Sequence, residues 1–314
     1  MLDQRLALSA LLCLPAALLL SASARPTLSQ TSPTLTRISS MASTPPDRAP
    51  LAALYFAPSP LFVPTNTVVY ALAPNNDLMW YSHTGRYNGT FQWAAPTGLK
   101  IGVGWQFKNI FSGGDGVLYA LTANNDLMWY RHTGRQNGAF QWLAPEGRKV
   151  GVGWNFKHIF SGGDGVIYAI NDNNDLLWYH HDGHLDGSFR WTFSEGKKVG
   201  TGWDFKQIFS GGGGVIYAIT NNNDLMWFRH DGRNDGTWRW AAPTGKKVGV
   251  GWNVKGIFSS GDGVIYTLNA QNQLLWYHHD GISDGTFRWT FPEGKIVGTG
   301  WDFKQVLSGA DLQR

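Results

Sequence analysis

Apolar and β-branched residues occur in short runs that return along the chain at a fixed interval. The clearest run is GVGWNFKHIFSGGDGVIYAI at Gly151–Ile170, and near copies begin at Gly102, Gly200, Gly249 and, truncated, Gly298. Within it, FKHIFS and GVIYAI have the length and composition of strands and are separated by a Gly/Asp turn. No segment has a helical period. The pattern therefore predicts the same set of strands several times over.

Three tryptophans mark each copy, and each recurs after 49 residues. The GxGW set is Trp105, Trp154, Trp203, Trp252 and Trp301; the LMW/LLW set is Trp80, Trp129, Trp178, Trp227 and Trp276; the FxW set is Trp93, Trp142, Trp191, Trp240 and Trp289. The last of the 16 tryptophans, Trp238, replaces the Phe of one FxW. A period of about 40–50 residues built from strands is typical of propeller blades. The absence of insertions indicates geometrically equivalent units.

Four strands are predicted in each copy, at Phe156–Ser161, Gly165–Ile170, Asp175–His181 and Ser188–Phe193 in the third. The Gly-rich SEGKKVGTG would then lead to the next copy. The fold predicted is an all-β, five-bladed β-propeller of four-stranded antiparallel blades. The last copy supplies only a first strand, Phe303–Ser308, which should complete the blade begun at Thr67 and remove an exposed edge. The proline-containing Leu54–Phe62 is expected to pack outside the ring.

The N-terminal region predicts export. Leu6–Leu20 is an apolar run of signal-peptide length that is shorter than a typical membrane-spanning helix. The small residues Ser21–Ala24 follow it and offer a cleavage site. We therefore predict a signal peptide at 1–24, a flexible Ser/Thr/Pro-rich linker at 25–50, the propeller at 51–314 and a secreted protein. The only cysteine, Cys13, lies in the predicted signal.

Charge and motifs exclude several classes of function. Four Arg and two Asp lie in residues 1–50, which leaves 26−4 = 22 basic and 22−2 = 20 acidic residues without a basic block. We therefore expect no nucleic-acid partner. Glutamate occurs only as Glu146, Glu195 and Glu293, at one repeated position. Because catalysis needs different groups in different roles, a glycan-processing enzyme with its unique acid–base pair is disfavoured.

Metal and cofactor sites are not predicted. One histidine recurs in every copy, at His83, His132, His181, His230 and His279. It could make a polar contact or bind a metal. Alternatively, it is a half-buried residue supported by a neighbouring loop. No Cys or second His recurs at ligand spacing. Asn/Asp clusters such as Asn171–Asp175 do not have the spacing of an EF-hand, and hairpin turns explain them better.

The tryptophans divide into core and candidate binding residues. The Trp80 set lies mid-strand among apolar residues and is assigned to packing. The GxGW tryptophans follow flexible glycines that let backbone amides approach a ligand, so a sugar ring could stack on the indole. These glycines are Gly104, Gly153, Gly202, Gly251 and Gly300. A second candidate set either accepts hydrogen bonds from sugar hydroxyls or merely forms a turn: Asn88, Asn137, Asp186, Asp235 and Asp284.

The run V/I-G-x-G-W-x-F-K-x-I-F resembles the blade signature of the tachylectin family, five-bladed propeller lectins, over Thr67–Leu312. The resemblance implies N-acetylglucosamine or N-acetylgalactosamine in niches between neighbouring blades, with the GxGW glycines and tryptophans as matching positions. A multivalent, non-enzymatic lectin for glycans bearing N-acetylhexosamine is the function expected. The alternative is a protein-interaction propeller that binds a peptide or protein.

Overall fold

The computed structural model describes residues 66–310, and the expectations for residues 1–50 and for Leu54–Phe62 lie outside the described residues. Twenty strands form five four-stranded sheets, and every pair of neighbouring strands is antiparallel. No helix occurs within this range. The five blades predicted from the repeat are confirmed.

Each blade contains strands in the order of the chain, except the first. Blade 1 is β20 (Gln305–Ser308), β1 (Thr67–Leu72), β2 (Leu78–His83) and β3 (Leu99–Gly102). Blade 2 is β4 (Asn109–Gly114), β5 (Val117–Leu121), β6 (Leu127–Arg131) and β7 (Arg148–Gly151). Blade 3 is β8 (His158–Gly163), β9 (Val166–Ile170), β10 (Leu176–His181) and β11 (Trp191–Gly200). Blade 4 is β12 (Gln207–Gly212), β13 (Val215–Ile219), β14 (Leu225–Arg229) and β15 (Lys246–Gly249). Blade 5 is β16 (Gly256–Gly261), β17 (Val264–Leu268), β18 (Leu274–His278) and β19 (Lys295–Gly298).

The ring closes through blade 1, as the sequence predicts. Strand β20 pairs antiparallel with β1, so that Tyr70 lies opposite Leu307 and Val69 opposite Ser308. The C-terminal region thus supplies the innermost strand of the blade begun near residue 67. Because this strand occupies the place that β4 has in blade 2, β1 is paired on both sides, with β20 and β2, and is not left as an edge strand.

The second strand of every blade is the most deeply buried, which explains its unbroken apolar sequence. All five residues of VIYAI in β9 and of VLYAL in β5 are buried. Both faces of these strands are covered by the neighbouring blades, so no polar alternation is needed. The hydrophobic clusters span two blades each, and the first of them joins Tyr70 and Trp80 of blade 1 to Leu118 and Tyr130 of blade 2. The cores therefore lie between blades rather than within them.

The position predicted for the fourth strand is wrong in four of the five blades. The FxW segment makes only an isolated bridge there, such as His132 to Trp142, and the strand is the later Lys/Gly run, Arg148–Gly151 in blade 2. Only blade 3 extends this strand back to Trp191. There Ser194 replaces the proline found at this position in the other copies, Pro145 in blade 2, and a proline cannot donate to a strand ladder.

The Asn/Asp clusters form the tight turns between the second and third strands. Asn125 at the turn has φ 62°, and its equivalents share the left-handed conformation. The side-chain oxygen of Asn125 accepts a hydrogen bond of 2.7 Å from the Lys108 ammonium group. The hairpin interpretation of these clusters is confirmed. In every blade a lysine next to the start of the innermost strand donates a hydrogen bond to the turn asparagine.

Candidate functional site

The recurring histidines join neighbouring blades. The Tyr119 hydroxyl of blade 2 donates to Nδ1 of His181 in blade 3 at 2.7 Å, and Nε2 of His181 donates to the Ser188 carbonyl at 2.9 Å. The same pair of contacts occurs at His83, His132, His230 and His279. Burial lowers the pKa of His181 to about 4, and burial keeps the Tyr119 hydroxyl protonated by raising its pKa. This histidine is therefore neutral and structural.

Two of the three tryptophan sets are also hydrogen-bonded across blade junctions. Indole N–H groups of the Trp80 set donate to a loop carbonyl of the following blade at 2.7–3.0 Å, as Trp129 does to His184. Those of the FxW set donate to the last strand of the preceding blade at 2.6–2.8 Å, as Trp142 does to Ile101. The packing role assigned to the Trp80 set from the sequence is confirmed, with a hydrogen bond in addition.

The GxGW tryptophans differ from both of these sets. The Trp105 ring packs at 4.8 Å from Tyr130 and 5.2 Å from Trp142, between centroids, and only 7% of the residue is exposed. Its N–H has no acceptor among residues 66–310. The described residues include three fully buried polar side-chain atoms without a hydrogen-bond partner, and Nε1 of Trp105 is not one of them. The N–H of Trp105 therefore keeps some exposure to solvent. The same holds for Trp154, Trp203, Trp252 and Trp301.

This N–H edge lies in a groove between blades. The groove between blades 1 and 2 has a volume of about 750 Å³. Its first wall is Gly102, Val103 and Trp105, and its second wall is Thr133, Phe140, Gln141, Trp142, Pro145 and Glu146 of blade 2. Since the 49-residue repeat carries no insertion, equivalent positions meet at the other junctions, and Trp301 and Trp93 lie 5.2 Å apart, between ring centroids, at the junction that closes the ring.

Exposed aromatic rings line the second wall of the groove. Phe140 is 63% exposed, and its equivalents Phe91, Phe189, Trp238 and Phe287 are also exposed. Because the Trp105 face is covered by Tyr130 and Trp142, the ring free to stack on a ligand is Phe140. Sequence reasoning missed this set. One signal was present, since Trp238 replaces Phe at this position and keeps it aromatic.

The backbone of the first wall offers free donors. Neither the Val103 nor the Gly104 amide donates to another backbone carbonyl among the described residues. Gly104 has φ 70°, and a Cβ built on it would meet nothing within 4 Å. By contrast, a Cβ on Gly102 would lie against Nε1 of Trp105. The predicted Gly104 set is thus open to solvent beside the indole edge.

The predicted Asn/Asp set forms turns next to the grooves. Oδ1 of Asn137 accepts the Ala139 amide at 3.0 Å, and Asp186 accepts the Ser188 amide at 2.9 Å. The following glycine, Gly138, has φ 72°, and its Cα lies against the ring of Trp80 in the preceding blade. A turn role is therefore present at these residues. A direct sugar contact stays a prediction.

The described residues contain no cluster of three or more His, Cys, Asp or Glu side chains arranged to hold a metal ion. Between residues 66 and 310, no helix is long and apolar enough to cross a membrane.

Fold and site together define a five-bladed propeller with an aromatic, amide-lined groove between blades 1 and 2, whose wall positions recur in every repeat. The family model described as Tachylectin matches residues 56–195 and 183–312. The chain belongs to the tachylectin family, a family of lectins.

The solved structures that resemble this chain have low sequence identity to it and low TM-scores. Prp20p from Saccharomyces cerevisiae is 12% identical with a TM-score of 0.37, over 75% of this chain and 62% of that one. A fungal six-bladed β-propeller lectin from Aleuria aurantia, which recognises fucose, is 14% identical with a TM-score of 0.36, over 79% and 84% of the two chains. The SapL1 lectin in complex with α-methyl fucoside is 18% identical with a TM-score of 0.31, over 74% and 83%. Among curated protein sequences, none matches this chain.

Proposed function

We propose that the protein is a secreted, non-enzymatic, multivalent lectin that binds N-acetylated aminosugars, N-acetylglucosamine or N-acetylgalactosamine, one in each groove. The observation that carries the proposal is the open indole N–H of the GxGW tryptophans. At the other ten repeated tryptophans the same group has a protein acceptor. A donor left open at five equivalent positions is available to a ligand.

The groove offers the contacts that an aminosugar needs. The Trp105 N–H and the Val103 and Gly104 amides can donate to the acetamido carbonyl and to hydroxyl oxygens. Phe140 can stack on the apolar C–H face of the sugar ring or on the acetamido methyl group. Few precisely placed polar groups beside an aromatic surface are usual in small-molecule sites.

Five sites compensate for the weakness of each one. A monosaccharide is small and strongly hydrated, so a single groove should bind it with a Kd between about 10 μM and the millimolar range. On a surface dense in glycans, simultaneous binding can raise the overall affinity by about 10²–10⁴-fold. The repeat thus both closes the ring and multiplies a weak site.

Agglutination and calorimetry test this proposal. The wild-type protein should agglutinate glycan-coated cells or beads, free N-acetylglucosamine or N-acetylgalactosamine should reverse it, and about five ligands should bind per chain. The variant F91A/F140A/F189A/W238A/F287A should fold, because these rings are exposed, and should lose most of the binding. Ile296→Ala is the matched control, since Ile296 is 47% exposed but lies on the outer strand β19.

Absence of binding to both aminosugars, by calorimetry and on a glycan array, would refute the proposal. Binding to cells that survives enzymatic removal of glycans would favour the protein-interaction propeller instead. Turnover of any member of a panel of glycosides would show an enzyme. A mature protein that does not begin near Arg25 after export would contradict the predicted signal peptide.

A further inference from the structure

Two positions on the second walls divide the five grooves into two kinds. At the position of Thr133, blades 1 and 2 have Thr84 and Thr133, whereas blades 3 to 5 have Asp182, Asp231 and Asp280. At the position of Gln141, blades 1 and 2 have Gln92 and Gln141, whereas blades 3 to 5 have Arg190, Arg239 and Arg288. In the groove between blades 1 and 2, both positions line the second wall, as Thr133 and Gln141. Threonine and glutamine therefore occur together, and so do aspartate and arginine.

The arginines are held by their own turns but keep donors free. In blade 3, Nε of Arg190 donates to Ser188 Oγ at 2.7 Å, and Nη2 donates to Asp186 at 3.0 Å. Nη1 of Arg190 has no partner among the described residues, and the side chain is 62% exposed. Blade 4 repeats these contacts through Arg239, with Nε to Thr237 and Nη2 to Asp235. Asp186 and Asp235 act here as positioning residues for the guanidinium group.

The aspartates likewise keep one oxygen free. Oδ1 of Asp182 accepts from His180 Nδ1 at 2.7 Å and from Thr192 Oγ1 at 2.6 Å, while Oδ2 has no partner among residues 66–310. Asp280 repeats the arrangement with His278 and Thr290. The hydrogen bond from Thr192 holds the pKa of Asp182 below its usual value, so the carboxylate is ionised at neutral pH.

We propose that Asp182 and Arg190, with their equivalents, determine affinity, so that the protein has three grooves with the Asp/Arg pair that bind an aminosugar more tightly and two grooves with the Thr/Gln pair that bind it more weakly. The Asp/Arg grooves have second walls in blades 3, 4 and 5, and the Thr/Gln grooves have second walls in blades 1 and 2. This inference rests on the proposed lectin function. Hydrogen bonds to charged groups are roughly twice as strong as those between neutral groups. The expected difference in Kd is about tenfold.

Each groove carries its own reporter, the open indole N–H of its first wall. In a titration of the full-length, ¹⁵N-labelled protein with N-acetylglucosamine, the signals of Trp154, Trp203 and Trp252 should saturate first. The signals of Trp105 and Trp301 should need about tenfold more sugar. Single Trp→Phe variants assign the signals.

Blades 2 and 4 provide a matched exchange, because both carry an arginine just before the position exchanged, Arg131 and Arg229. The variant T133D/N137D/Q141R should move Trp105 into the tight class, giving four tight grooves and one weak groove. The reverse variant D231T/D235N/R239Q should move Trp203 into the weak class, giving two tight and three weak grooves. Each exchange introduces residues that another blade already accommodates, and an unchanged pattern of the remaining indole signals shows that the ring is folded.

The possible outcomes separate the two proposals. If all five indole signals follow one binding curve in the wild type, or if neither exchange moves its own signal, the division into Asp/Arg and Thr/Gln grooves is wrong while the lectin proposal stands. If no signal responds to either aminosugar in any chain, the lectin proposal itself fails.

Discussion

The junctions between blades and the walls of the grooves are built from the same repeat but differ in how strictly it is kept. At the junctions, the Tyr–His hydrogen bond and both tryptophan–carbonyl hydrogen bonds occur five times without exception. On the groove walls, blades 1 and 2 have Thr and Gln at two positions where blades 3 to 5 have Asp and Arg.

Solvent explains this difference. A buried donor or acceptor that loses its partner costs about 1–3 kcal/mol, whereas an exposed one turns to water. Junction residues can therefore change only in pairs, while wall residues can change freely and alter what the groove binds. An ion pair on the outer strands lies between these two extremes. Asp224 and Lys247 form this pair in blade 4, and in blade 5 both partners are replaced together, by Gln273 and Ile296.

Acidification should distinguish the two regions most strongly. Burial lowers the pKa of all five junction histidines, that of His181 to about 4. Below about pH 6.5 these histidines are therefore protonated in the unfolded chain while they are still neutral in the folded chain. The stabilising contribution is complete above about pH 6.5 and is lost as the pH falls, for His181 over the window down to about pH 4. In that window His181 loses at most about 1.4 kcal/mol of stabilisation per pH unit. Denaturant unfolding from pH 7.5 to 4.5 should show the free energy of unfolding falling by several kcal/mol.

The wall carboxylates provide the internal control for that experiment. Hydrogen bonds from Ser188 and Thr237 lower the pKa of Asp186 and Asp235 below the ordinary value near 3.8, so their contribution is lost only in more acidic solution. A free energy of unfolding that stays constant down to pH 5 would contradict neutral histidines at the junctions.

Replacement of one junction histidine should have the next largest effect. His181→Phe keeps a ring at the site but leaves the Tyr119 hydroxyl and the Ser188 carbonyl without partners. We expect a loss of about 3 kcal/mol in the free energy of unfolding. Arg190→Gln on the neighbouring wall should change it by less than about 0.5 kcal/mol. Equal losses in the two variants would remove the distinction between junction and wall.

The tryptophan sets allow a finer comparison. Trp129→Phe removes an indole whose N–H donates to the His184 carbonyl, and Trp105→Phe removes one whose N–H has no protein acceptor. Both variants lose similar ring volume. Trp129→Phe should therefore cost about 1–2 kcal/mol more stability, measured by thermal or denaturant unfolding. Trp105→Phe should instead weaken sugar binding at its own groove; greater destabilisation by Trp105→Phe would contradict this assignment.

The smallest effect is expected for an exchange of the outer ion pair. D224Q/K247I gives blade 4 the residues that blade 5 already has. Exposed ion pairs contribute about 0–1 kcal/mol, so unfolding should change by no more than about 0.5 kcal/mol. The single variant Asp224→Gln is the control, and a loss above about 2 kcal/mol in the double variant would show that this outer pair behaves like a junction contact.

The repeat made most of the fold predictable. Equal spacing of the tryptophans implies equivalent blades, and the truncated last copy implies closure by its first strand. The fourth strand was misplaced because Ser188–Phe193 has strand-like residues. In four blades that segment bridges only at its tryptophan, whose indole donates to the preceding blade, and the strand forms from a Lys/Gly run of low β-propensity.

The groove was harder to predict than the fold. The sequence identified the GxGW motif, but which part of Trp105 reaches solvent depends on Tyr130 and Trp142, which belong to the neighbouring blade. Likewise, Phe140 and Trp142 belong to one motif, and nothing local indicates that the first is exposed while the second is packed. Burial at a blade junction is a property of two repeats, so one repeat read alone does not reveal it.

The most direct test of the account is the indole region of a ¹H–¹⁵N correlation spectrum recorded with increasing N-acetylglucosamine and, separately, N-acetylgalactosamine. The five GxGW indole signals should move with at least one of these sugars, while the ten indoles hydrogen-bonded across blade junctions should stay in place. A spectrum in which the GxGW signals do not respond, or in which the ten bonded indoles respond instead, would contradict it.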